Sequence, residues 1–174
     1  MTPIDNLPTQ KDIPTRLADF AGSEVFSRLF REGMDLVEET ANYLDGPGRE
    51  DAKRLGRTGA LSYAADSMAL TTQLMQCASW LLTQRAVAEG DMDASEAAEQ
   101  RYRLTPSKLK AGNWPADDDQ CPPRLADMVV RAKSLHERLM RIDQSLFEDD
   151  QEKERDPVNP VANQLDALNK AFGV

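Results

Sequence analysis

Apolar residues recur at spacings of three and four along three long stretches of this chain, and that rhythm restricts it to helices. From Ser23 to Leu44, one seam runs through Phe26, Phe30, Gly33, Val37 and Leu44. A second runs beside it through Val25, Leu29, Leu36 and Tyr43. Ser23 suits an N-cap, and Asp45-Gly46-Pro47-Gly48 stops the helix with a turn-tolerant glycine and a proline. The spacing therefore predicts a first helix over 23–45.

A second helix is expected over 49–89, with Gly56 and Gly59 inside it and Gly90 ending it. Its pattern doubles. Leu61, Ala64, Met68, Thr71, Met75, Ala78 and Leu82 form one seam, and Tyr63, Ser67, Leu70, Leu74, Cys77 and Leu81 form another. Two seams ask for neighbours on two sides, within one chain or from a second copy. The first seam is read as core, so that packing accounts for Met68 and Met75. A third helix over 122–147 follows Pro122-Pro123, with Leu125, Met128, Ala132, Leu135, Leu139, Ile142 and Leu146 as its stripe. No segment shows sustained two-residue alternation, so the expected fold is all-α: an up-down-up antiparallel three-helix bundle.

Around this bundle, residues 1–22 are expected to be a flexible N-terminal segment. The connection 90–121 is a long acidic loop with a short helix near Ala94–Tyr102, and 148–174 is an acidic, disordered tail. Val161, Leu165, Leu168 and Phe172 in that tail keep helical spacing. The chain carries 30 acidic against 21 basic side chains, a net charge of −9. The first long stretch is acidic and the two later ones mildly basic, which favours attraction across the helix rims. No basic stripe stands against the negative field, which argues against nucleic-acid binding. No apolar run is long enough to insert in a membrane, and the first twenty residues lack a signal-peptide core. The chain is read as cytoplasmic.

Catalytic chemistry finds no foothold. A carboxylate di-metal site needs two Glu-x-x-His motifs, and His136 is the sole histidine, with Lys133 three residues before it. His136 is therefore read as a hydrogen-bonded structural residue. No nucleophile elbow accompanies it, Gly46-Pro47-Gly48 lacks the lysine of a phosphate loop, and Asp117-Asp118-Asp119 lacks the spacing of a calcium loop. Cys77 and Cys121 are read as free thiols, with no cofactor or metal implied. Trp80 and Trp114 have two readings, a contact surface or burial beneath the loop. What is left is an interaction protein, with Trp114, Asp117, Asp118, Asp119, Glu148, Asp149 and Asp150 as candidate partner contacts.

Three runs then resemble the RcdA family: Phe30 to Arg49 (FREGMDLVEETANYLDGPGR), Thr71 to Val87 (TTQLMQCASWLLTQRAV), and Pro122-Pro123-Arg124-Leu125 with Ser134 to Leu139 (SLHERL). The likeness covers residues 22–147. It implies a homodimeric three-helix bundle in the cytoplasm of an alphaproteobacterium, with no catalytic residue. It also implies an adaptor for regulated proteolysis by ClpXP, working with CpdR and PopA to deliver substrates such as CtrA, with the acidic termini binding partners. The alternative is a dimeric scaffold that sequesters a regulator without protease delivery.

Overall fold

Asp12 begins the described structure as a helix cap: its carboxylate accepts from Thr15 N–H at 3.2 Å. That bond, with a proline in the first turn, starts α1 (Ile13–Ala21). A computed structural model describes residues 12–109, 114–115 and 120–147. The helices that follow are α2 (Glu24–Asp45), α3 (Pro47–Lys53), α4 (Arg57–Glu89), α5 (Ala94–Ala97) and α6 (Pro123–Phe147), with a 3₁₀ turn at Gln100–Tyr102. Among the described residues there is no strand.

The all-helical expectation holds, with three corrections. Part of the segment expected to be flexible is α1, whose Leu17 is fully buried. Phe20 meets Phe26 edge-on, with ring centroids 5.6 Å apart, and lies 6.0 Å from Trp80. Two apolar anchors on a capped helix hold this segment to the core. Second, the helix expected over 49–89 is two helices. The chain turns through Arg54 and Leu55, and Gly56, in extended conformation, caps α4 rather than lying within it.

The third correction concerns direction. Arg138 pairs with Glu32, and Arg131 pairs with Glu39 at 2.8 Å, so α6 runs antiparallel to α2. Arg85 sits over the Phe30 ring at one end of α2, and Gly48, just past its other end, lies against Tyr63, so α4 is also antiparallel to α2. Hence α6 runs parallel to α4. The Trp80–Asp143 bond fixes one end of that pair, and Arg124 over the Tyr43 ring places the start of α6 at the other. The bundle is up-down-down. Parallel neighbours need a connection as long as the helices themselves, which is why more than thirty residues separate α4 from α6.

Gly90, at φ +79°, ends α4 in the left-handed conformation that glycine tolerates best. The chain then returns along the groove between α4 and α6. Polar side chains facing that groove hold it: Asp143 takes Arg103, His136 Nε2 bonds Thr105 O at 2.8 Å, Gln73 accepts from Ser107, and Asp66 accepts from Trp114. The core beneath is a continuous apolar cluster from all the long helices, including Leu36, Tyr43, Leu70, Leu81, Leu125, Met128, Leu135 and Leu139. The expected third-helix stripe is buried throughout except for half-buried Ile142. His136, 2% exposed, is the structural histidine that its pattern suggested.

Candidate interaction surface

Of the two seams on α4, one builds the core. Leu70, Leu74, Cys77 and Leu81 are each at most 3% exposed. The other, read from sequence as core, faces outward. Leu61, Met68, Met75 and Leu82 are 68, 72, 67 and 53% exposed. The four stand seven residues apart, and Ala64, Thr71 and Ala78 alternate with them. Large side chains at one heptad position and small ones at the next form knobs beside holes, the relief a second helix packs against. The physical reason for the misreading is plain: helical spacing shows that a face is apolar, not which helix covers it.

Beside this seam α2 and α4 leave a groove of about 270 Å³, lined by Val37, Ala41 and Leu44 from one side and Thr71, Met75 and Ala78 from the other. Thr40 also lines it, 3% exposed, and its hydroxyl has no hydrogen-bond partner among the described residues. An apolar ridge flanking an apolar groove has the shape and chemistry that a docking helix would need.

The candidate contacts fare differently. Trp114 is half-buried, packs against the core and donates Nε1–H to Asp66 at 2.9 Å. Of the two readings it therefore follows burial with the loop, holding the returning chain to α4. Trp80 does the same from the core side: it is 2% exposed and belongs to no outer surface. Asp117, Asp118, Asp119, Glu148, Asp149 and Asp150 lie outside the described residues. Sequence reasoning missed Asp66, Gln73 and Asp143 altogether. Their signal was a polar residue on a buried helical face, where an unpaired polar group would be costly.

The cysteines are both free. Burial pushes the Cys77 thiol up to about 11, partly offset by Gln73, and burial also raises Cys121, aided by the Asp66 charge. Tyr43, fully buried, donates to Asp51 Oδ2 at 2.9 Å, and its phenol is raised mainly by burial. Among the described residues no group of three or more His, Cys, Asp or Glu could hold a metal ion, and no helix is long and apolar enough to cross a membrane.

The family model described as "Protein of unknown function (DUF1465)" matches residues 17–172. The solved structure of RcdA from Caulobacter crescentus CB15 is 45% identical, with a TM-score of 0.61, covering 75% of this chain and 97% of that one. The chain belongs to the RcdA family. No curated protein matches it.

Proposed function

We propose that this protein is a non-enzymatic adaptor in regulated proteolysis that tethers cell-cycle regulators such as CtrA to the ClpXP protease, with CpdR and PopA as partners. Membership in the RcdA family supports the reading, and one observation carries it: the exposed Leu61–Met68–Met75–Leu82 ridge beside an open apolar groove. In this reading the bundle, residues 23–147, is the platform and 148–174 the reaching segment, in the cytoplasm. Tethering needs no reactive group, because holding cargo beside a protease pore raises its effective concentration.

The ridge is the surface through which two copies pair in this reading, α4 against α4. Asp117, Asp118, Asp119, Glu148, Asp149 and Asp150 supply acidic contacts to partners, with Trp114 anchoring the loop that carries the first three. The test is a reconstituted degradation assay with ClpXP, CpdR, PopA and purified CtrA. Added protein accelerates loss of the substrate, and asparagine or glutamine at the six acidic positions reduces that acceleration. Substrate bound by the protein but degraded no faster would leave a sequestering scaffold instead.

A further inference from the structure

A second groove, of about 410 Å³, lies between α2 and α6. Its floor is apolar: Leu29 is buried, Ile142 half-buried, and Val25 is 50% exposed. Its rim is cationic. Arg138 is neutralised by Glu32. Arg141 lines the groove with no ion pair or hydrogen bond among the described residues. Arg28, three positions beyond Val25 on the same face of α2, is likewise unpaired among those residues. An apolar trough with two uncommitted cations fits an apolar helix preceded by acids.

The chain carries such a segment next to the groove. Ser145, on the groove wall, is two residues from the end of α6 at Phe147. Glu148, Asp149, Asp150, Glu152, Glu154 and Asp156 come next, tempered by Lys153 and Arg155. Pro157 and Pro160 follow, then Val161, Leu165, Leu168 and Phe172 at one-sided helical spacing. As a helix, 161–172 is about 18 Å long. That length reaches along α6 from Ser145 back to Lys133, and Val130, 66% exposed, lies about one turn further on the stripe of Arg141 and Ser145. The thirteen residues between span up to about 43 Å extended, ample for the reversal. The family match also continues to residue 172, past the bundle, so this segment belongs to the shared family sequence. A tether this short gives an effective concentration in the millimolar range, favouring the chain's own segment over a second copy's.

We propose that residues 161–172 dock as an amphipathic helix into the α2/α6 groove of their own chain, with the acidic run laid against Arg28 and Arg141. The docked tail keeps its acids engaged, and a competing cationic partner or high salt releases it. This goes beyond the adaptor reading and does not depend on it.

Hydrogen exchange of the full chain, followed by mass spectrometry at low micromolar concentration, tests it without any protease. Amides of 163–172 exchange about tenfold or more slowly than an unstructured segment. Protection falls to the unstructured rate in a Leu168→Ser, Phe172→Ser double variant, which leaves the bundle untouched. It falls at least severalfold in Arg141→Glu and in 0.5 M salt. Val25→Asp, at a half-exposed position, abolishes it from the groove side while α4 amides keep theirs. Unprotected 163–172 amides in the unmodified chain overturn the proposal. So does protection indifferent to Val25→Asp and Arg141→Glu, or protection that grows with protein concentration and so reports a second copy.

Discussion

Trp80 and Asp143, sixty-three residues apart, share a 3.0 Å hydrogen bond inside the core, with the indole N–H donating to Oδ1. The same carboxylate, 1% exposed, pairs with Arg103 at 2.9 Å through Oδ2, and Leu104 N–H approaches Oδ1 at 3.4 Å. One buried acid thus joins α4, α6 and the returning loop. Asp143→Ala leaves an indole N–H and a guanidinium without their acceptor, and removing one partner of a buried pair costs about 3–5 kcal/mol. The Arg103 side chain is 23% exposed, so water recovers part of this and the lower end applies. Denaturant unfolding is expected to show a loss of about 3 kcal/mol for Asp143→Ala, and a smaller loss for Trp80→Phe, which keeps most of the apolar volume.

Two glycines where helices meet should respond unequally to one methyl group. A Cβ on Gly33 would come 2.5 Å from Leu81 Cδ1, the far end of a side chain that can rotate. A Cβ on Gly48 would meet the Tyr43 carbonyl at 2.8 Å and the Tyr43 ring at 3.0 Å, as well as the Tyr63 hydroxyl. Backbone and a fully buried ring cannot yield in the same way. Gly48→Ala is expected to cost about 1–3 kcal/mol, in the range of overpacked cores, and Gly33→Ala less. Thermal melts of the two variants side by side check the order.

The two thiols should separate by pH and by fold. With Cys77 near 11, only about one in a thousand of its thiols is ionised at pH 8, and the side chain is 1% exposed. The raised value means the reactive form grows as pH climbs toward 11 and is negligible at neutrality. Ellman's reagent at pH 8 is expected to modify half-buried Cys121 first, slowly because its value is also raised, and Cys77 only once denaturant unfolds the chain. Equal native rates would mean that the α4 core seam opens far more readily than its packing implies.

Most of the helical framework could be read from the sequence, because capping residues and three-four spacing are local signals. Ser23 accepts from Phe26 N–H at 3.2 Å as its position suggested, and Glu32 and Glu39 on the acidic helix find Arg138 and Arg131. The direction of α6 was not legible, since a stripe such as Leu125–Leu146 reads the same whichever way its helix runs. Nor was the clamp on the loop: Asp66, Gln73 and Asp143 look like ordinary solvated polar residues until the partner 34 to 63 positions away is known. Asp12-Ile13-Pro14 did carry a start signal for α1, overshadowed by the polar residues around it.

The two α4 seams pose the sharpest test, because they are equally apolar and only one is covered. Substitution on the covered seam removes core contacts, so Leu74→Ala should cost about 2–5 kcal/mol. Substitution on the open ridge removes none within the chain. Met68→Glu and Met75→Glu are therefore expected to leave the stability of the monomer within about 0.5 kcal/mol of the parent's, as exposed substitutions do, when both are unfolded at concentrations too low for pairing. If the ridge pairs two copies, the same changes place like charges along a heptad seam, and the pair should come apart. Sedimentation at low micromolar concentration reads this directly: a dimeric parent and monomeric Met68→Glu and Met75→Glu variants of unchanged helicity. A dimer that survives both substitutions moves the interface elsewhere and leaves Leu61, Met68, Met75 and Leu82 to a different protein. A monomeric parent does the same, and the adaptor reading must then find its cargo on this face.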